Sequence, residues 1–440
     1  MLINIPDRAR PVDQADRISA IDTLRGIALL GILLMNIPYF ALPERFSDTF
    51  HQDLASPDFW TDVIIVILFE GKMRALFSMI FGAGILLFIL RKKRTGQPYK
   101  VLFFRRMGWL VLFGIMHAHL LLWTGDILYY YGIIGMIAFL FRNWRPRYLI
   151  LGIPLVAVMS FILSTLFYHQ MRSKRLDYLK VAAIEKQHRP LTAKQKKTVE
   201  EWNKVQKEFI PNQQQIDDHT RSMKSDYQGV AKYIRPVTWD AQTKYLYFVI
   251  GDILALMMLG MALYKWKFFT NGWPLKNYVY TVIIGYGIGL PLVIYNYYYA
   301  FKIPPGSEAL LHYMETHPVQ WNNLIYPFQR ILLVMAHASL IMLILRAGLW
   351  RNLTRRLAAV GQMAFTNYIM QTVLCTLFFF GYGLDYYAEI EFYELYFFVA
   401  AIWIIQLFIS PIWLKSYLFG PLEWIWRSLT YLQIQPFKRS

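Results

Sequence analysis

Several groupings in this sequence have the residue types and spacing that proton transfer or ion binding needs. In "GIMHAHLLLWTGDIL", His117 lies nine positions before Asp126, with a Trp-Thr-Gly turn between them. A neutral imidazole can take a proton from a hydroxyl or amine, and a carboxylate on its other nitrogen fixes the tautomer that does so. His119 faces away, about 200° round the same helix. In "IDTLRGIALLGILLMN", Arg25 and Asn36 are eleven positions apart. On a helix they share a face to within about 20° and stand about 16 Å apart, with Asp22 on nearly the same line. "FEGKMRALFSMIFGAG" sets Glu70 and Arg74 at the spacing of an intrahelical ion pair, with Lys72 pointing elsewhere. Arg330 and His337 share a face with Asn323, and Gln362, Thr366, Asn367 and Gln371 follow. We expect these polar groups to line a shared cavity.

The elements that carry them are apolar runs of membrane-spanning length. Of 440 residues 56% are hydrophobic, which excludes an ordinary soluble enzyme and points to an all-α, polytopic membrane helix bundle. Ten spans are expected: 19–41, 59–90, 107–124, 127–142, 148–168, 243–266, 277–300, 321–346, 357–380 and 393–414. The second is too long for one crossing, so a break near Gly71 is expected, with 59–70 lying along the outer surface. Ser78 and Gly82 make a small-xxx-small step suited to close helix packing. The first run is too long for a signal-peptide core and lacks a cleavage site, so it is read as a span. The chain divides into a first five-helix half (1–168), a soluble polar loop (169–240) and a second five-helix half (241–440).

The charge of +18 is distributed in a way that explains it. Alternate connections hold the cations, among them "RKKR" at 91–94, Arg105, Arg106, Arg142, Lys265, Arg351 and Arg355, whereas the others hold most of the short-loop acids. The positive-inside rule therefore places both termini in the cytoplasm. The 169–240 loop, too long for that rule, is expected outside as polar helices broken near Pro190, Pro211 and Pro236. Cations spread this way meet anionic lipid, so the bilayer is the expected partner and nucleic acid is not. The single cysteine, Cys375, excludes an intrachain disulfide. No metal-ligand spacing, phosphate loop, dinucleotide fingerprint or G-x-S-x-G elbow is present, and no metal is expected.

The blocks "LRGIALLGILLMN", "FEGKMRALFSMIFGAG", "GIMHAHLLLWTGDIL", "GDILALMMLGMALYKW" and "GQMAFTNYIMQT", with the closing "GPLEWIWRSLTY", resemble the YeiB family of bacterial inner-membrane proteins. That family is similar in turn to the transmembrane acyltransferases, which include a lysosomal heparan glucosaminide N-acetyltransferase and O-acetyltransferases of bacterial surface sugars. In the O-acetyltransferase group, Arg is followed by ten residues and then His in the first span; here the same spacing joins Arg25 to Asn36. The lysosomal branch has asparagine there and a catalytic histidine eleven residues on, a position occupied here by Ser47, with His51 and Asp53 nearby. This departure leaves His117 as the better base.

The resemblance implies transfer of an acyl group, acetyl in the first instance, from cytoplasmic acyl-CoA to an extracytoplasmic hydroxyl or amine, such as an envelope glycan or lipid. His117 would be the base and Asp126 its orienting partner. Asn36 or Arg74 would stabilise the oxyanion, and Arg25, Arg105 or Arg106 would hold the donor's phosphates. Glu70, Lys72, Arg330 and His337 complete the expected binding set. The alternative is a transporter or lipid-handling protein, in which the two "GDIL" copies, 125–128 and 251–254, mark repeats around a polar site. The oligomeric state is not legible in the sequence.

Overall fold

Apolar length decides the architecture. The computed structural model describes residues 19–43, 53–209, 212–301 and 307–439. Among them eight helical stretches are long and apolar enough to cross a membrane, and two shorter apolar helices, Leu128–Phe141 and Ala364–Phe379, bring the number to the ten expected. No β-strand occurs among the described residues. The protein is an all-α multi-pass membrane bundle.

In chain order the helices are α1 (Ser19–Ala41), α2 (Pro57–Leu68), α3 (Lys72–Arg94), α4 (Tyr99–Leu120) and α5 (Leu128–Ala138, extended by one 3-10 turn to Phe141). Then come α6 (Pro146–Ile150), α7 (Gly152–Glu185), α8 (Ala193–Phe209), α9 (Gln213–Met223), α10 (Tyr227–Gln242) and α11 (Leu246–Lys265). The chain continues through α12 (Leu275–Phe301), α13 (Ser307–Thr316), α14 (Asn322–Ala347), α15 (Arg351–Gln362), α16 (Ala364–Phe379), α17 (Leu395–Ser416) and α18 (Pro421–Tyr431).

The expected break near Gly71 is present. α2 ends at Leu68, Gly71 adopts φ +69°, and α3 starts at Lys72. The left-handed region suits a residue without Cβ, and Tyr326 Oη fills the space that a side chain at Gly71 would need. The polar loop forms helices as expected, but α7 crosses residue 168 without interruption, so membrane span and loop share one 34-residue helix. Pro236 lies inside α10 rather than ending it.

Two close crossings hold the bundle. At α1–α15, a methyl on Gly26 would strike the Leu357 carbonyl and one on Gly361 would strike that of Asp22. At α3–α11, Gly82 and Gly260 bear in the same way on Met257 and Met79. Only residues this small let the backbones approach so closely, and packing is what drives helix association in lipid. The Ser78–Gly82 step thus supplies its close contact at Gly82, while Ser78 Oγ lies 2.7 Å from Tyr131 Oη. The tenth expected span is continuous, but the ninth is broken: α15 and α16 are separate helices meeting at Met363, whose backbone leaves helical geometry (φ −106°, ψ 31°).

Candidate functional site

Shortness positions the site. The helical stretch Leu128–Phe141 spans about 21 Å and α16 about 24 Å, less than a hydrocarbon core of about 30 Å. Their ends nearer His117 therefore stop inside the bundle's thickness, where irregular backbone is tolerated only when protein surrounds it. The turn between α4 and α5 meets that condition: Asp126 is 2% exposed, and its carboxylate accepts hydrogen bonds from the backbone N–H groups of Leu128 (3.2 Å) and Tyr129 (2.8 Å). Asp126 thus caps the first turn of α5, where a helix favours negative charge.

The same carboxylate reaches His117. Nδ1 of the buried ring lies 2.7 Å from Asp126 Oδ1, and Nε2 lies 2.8 Å from Thr372 Oγ1 on α16. The Tyr368 ring, one turn before Thr372, meets the imidazole edge-on with centroids 5.0 Å apart. The turn thus folds back to join His117 to Asp126 as the sequence suggested. His119 is turned toward α10, with Nε2 3.2 Å from Gln242 Oε1.

A cavity of about 260 Å³ opens at the end of the bundle that carries the basic connections and runs inward to Tyr131 and Tyr368. Its lining includes four guanidinium groups (Arg25, Arg91, Arg106, Arg427) against two carboxylates, Asp22 and Glu423, and the inner wall is apolar, with Phe77, Phe81, Ile85, Met107 and Leu110. Arg25 is tied to Asp22 at 2.9 Å, and Arg106 lies flat on Trp426, 3.6 Å from the ring centroid. α18 closes one side. Glu423 accepts from the N–H groups of Phe365 (2.6 Å) and Thr366 (3.1 Å) and from the Thr366 hydroxyl (2.6 Å), and so caps α16 at the helix break. Burial at this wall pushes the Glu423 carboxyl above its ordinary range, against the pull of those hydrogen bonds.

Most of the other expected site residues do not share this cavity. Asn36 is half-buried on α1, away from the cavity lining and one turn before Phe40, which stacks on Trp123 at 3.8 Å. The Asp22–Arg25–Asn36 stripe is therefore not one wall: only its first two members face the void. The Glu70–Arg74 pair does not form, because the Gly71 break puts Glu70 off the helix. Glu70 instead accepts from Tyr326 Oη at 3.2 Å. Arg74 pairs with Asp252 on α11 at 3.2 Å, and the buried Arg330 embraces the same carboxylate through both terminal nitrogens. Lys72 donates to Val66 O (2.7 Å). His337 is held between Tyr286 Oη (2.7 Å) and Leu68 O (2.8 Å), so these two side chains cap the end of α2. Arg105 donates to Thr430 O and does not line the cavity. Ser47 and His51 lie outside the described residues.

Sequence reasoning missed Thr372, Glu423, Arg91 and Arg427, which become informative only once α16 and α18 are folded against α4. Asp252 carried a signal, a carboxylate in an apolar run opposite unassigned arginines. The two "GDIL" copies are not equivalent: Asp126 opens a helix, whereas Asp252 lies within one. Among the described residues no group of three or more His, Cys, Asp or Glu could hold a metal ion.

The fold and site define a multi-pass helical membrane protein with an arginine-lined cavity and a buried Asp–His pair near its inner end. A family model described as a protein of unknown function (DUF418) matches residues 263–433. The chain is similar over nearly its whole length to the uncharacterized protein YxaH of Bacillus subtilis, 26% identical over 98% of both chains. It is likewise similar to the uncharacterized protein YeiB of Escherichia coli, 28% identical over 94% of this chain and 96% of that one. These matches support a YeiB-like family. No solved structure matches it.

Proposed function

We propose that the protein is an acyltransferase of the bacterial cytoplasmic membrane, taking an acyl group, acetyl in the first instance, from acyl-CoA on the cytoplasmic side and delivering it to an extracytoplasmic hydroxyl or amine of an envelope glycan or lipid. The cavity carries this reading. Guanidinium groups in surplus over carboxylates suit a phosphorylated ligand, and an apolar inner wall suits its acyl-bearing arm. With the basic end in the cytoplasm, Arg25, Arg91, Arg106 and Arg427 would take the phosphates and the thioester would point toward Tyr368. His117 is the general base. Asp126 accepts two backbone N–H bonds; in this reading it also accepts from Nδ1 of His117, which leaves the lone pair on Nε2.

The test is thermal unfolding of the purified protein with acetyl-, propionyl- and butyryl-CoA, alongside a search for acetylated product in envelope extract. A donor at a hundred times its Kd stabilises the folded state by about 2.7 kcal/mol. No shift with any of the three, and no product, would overturn the reading and leave transport as the function to pursue. Orientation is tested separately. A cysteine introduced by Lys196→Cys in the exposed part of α8 should react with an impermeant thiol reagent in intact cells.

A further inference from the structure

Thr372 is the third member of a chain of contacts that the reading above does not use. Asp126 Oδ1, His117 Nδ1, His117 Nε2 and Thr372 Oγ1 follow one another at 2.7 and 2.8 Å across the ring, all within side chains at most 2% exposed. In the tautomer that donates from Nδ1 to the carboxylate, Nε2 accepts and the Thr372 hydroxyl donates its proton to the imidazole. A helical threonine usually spends that proton on a carbonyl one turn back. Here it is turned to the base. Carboxylate, imidazole and hydroxyl in this order and at these distances are the geometry that activates a hydroxyl as an acyl acceptor, on whatever fold it occurs.

Two neighbours extend the pattern. Tyr368, one turn before Thr372 on the same face of α16, lines the inner end of the cavity, so the hydroxyl stands about one helical pitch, roughly 5 Å, beyond the wall that the donor would reach. The indole N–H of Trp123, beside the Gly125–Asp126 turn, bonds to the Tyr368 hydroxyl and holds that ring beside the imidazole.

We propose that Thr372 is the nucleophile of a two-step transfer and carries the acyl group as an ester between donor and acceptor. The proposal rests on the acyltransferase reading. In the first step His117 Nε2 takes the proton of Thr372 as Oγ1 adds to the thioester carbonyl. The C–S bond breaks, His117 returns the proton to the departing sulfur, and free CoA thiol leaves an O-acyl threonine. In the second step Nε2 takes the proton of the acceptor hydroxyl or amine, whose oxygen or nitrogen adds to the ester carbonyl. The C–Oγ1 bond breaks and the proton goes back to Oγ1. The relay lets donor and acceptor use opposite ends of the bundle without meeting.

The experiment is incubation of the full-length protein with radiolabelled acetyl-CoA and no acceptor, acid quench, and peptide mapping. We expect up to one acetyl group per chain on the peptide containing Thr372, lost in Thr372→Val and His117→Ala and kept in Thr372→Ser. Turnover should fall at least 10³-fold in Thr372→Val and less than about 30-fold in Thr372→Ser, with the acetyl-CoA thermal shift unchanged in both. Turnover of Thr372→Val within about threefold of wild type per folded molecule, or label mapping to another residue, would overturn the nucleophile while leaving the acyltransferase reading in place. Wild-type protein that shows neither an acetyl-CoA shift nor transfer would overturn both.

Discussion

The two ends of this bundle hold similar charged residues in opposite ways. Away from the basic end, Asp252 is shared by Arg74 and Arg330, Glu70 is bonded to Tyr326, and Lys72 and His337 are spent on the carbonyls of α2. Each charge has a protein partner. At the basic end four guanidiniums face a void with two carboxylates between them. Ionisable groups in a membrane protein invite a functional reading by default. The contrast shows that the deciding feature is the setting: charges enclosed by protein secure helix positions, whereas charges that line a cavity, even those with a protein partner such as Arg25, also face open space.

The strongest test of that contrast compares two histidines. His117→Ala should lower turnover by about 10²- to 10⁴-fold, the usual contribution of a general base, with donor binding nearly intact. His337→Ala, which frees the end of α2, should instead lower thermal stability and leave turnover per folded molecule close to wild type. His51→Ala is the second control. Full turnover in His117→Ala with loss in either control would reverse the assignment of the two ends.

Next in size is the ion-pair cluster. Asp252→Ala leaves the 3% exposed Arg330 side chain without its carboxylate and should cost about 3–5 kcal/mol in unfolding measured in detergent. Acyl-CoA affinity of the surviving folded protein should not change. Arg74→Ala, whose side chain is 40% exposed, should cost less than about 1 kcal/mol. A changed donor affinity in Asp252→Ala would join the two ends functionally.

At the cavity mouth the expected effect is smaller and of the other kind. Arg106→Ala should weaken acetyl-CoA binding about tenfold, close to 1.4 kcal/mol, as read by titration. Arg105→Ala, one position away but bonded outside the cavity to Thr430 O, should leave affinity within about twofold. Equal losses at both would mean that net charge, not the cavity, attracts the donor.

The smallest effect belongs to the polar helices. His219 on α9 stacks on Tyr233 with centroids 4.4 Å apart, and burial lowers its pKa from 6.5 to about 4. The folded state thus binds its proton less readily than the unfolded chain. Above pH 6.5 the residue contributes nothing to the pH dependence of stability; as pH falls from 6.5 toward 4 it increasingly favours unfolding. Melting at pH 7.5 and 5 should show a loss that His219→Phe reduces. A loss of equal size in the variant would assign it to other groups.

Much of the fold was legible because apolar length is a property of consecutive residues. The ten apolar segments, the Gly71 break and the helical loop all follow from runs and punctuation. The Asp126–His117 contact was legible too, since a short turn can bring together only residues near it in sequence. What the sequence could not show is which helix faces which. Arg74 looked paired with Glu70 because the two are four positions apart, yet its partner is 178 positions away on α11. Thr372 is 255 positions from His117 and gave no local sign of contact. The tilt and rotation that create such contacts come from glycine crossings such as Gly26 on Gly361, whose pairing is decided only in three dimensions.

The helix break at Met363, capped from α18, has a consequence for the order of assembly. Glu423, Trp426, Arg427 and Tyr431 form one side of the cavity, and all four follow the last apolar helix in the chain. During synthesis the ten apolar segments are therefore made before the wall exists, and α16 waits with the N–H groups of Phe365 and Thr366 uncapped. The cavity is the last part of the molecule to be finished. A nascent bundle that has inserted but not yet received α18 has Arg25, Arg91 and Arg106 on an open face rather than in an enclosed pocket, so the cavity takes its form only once α18 has docked.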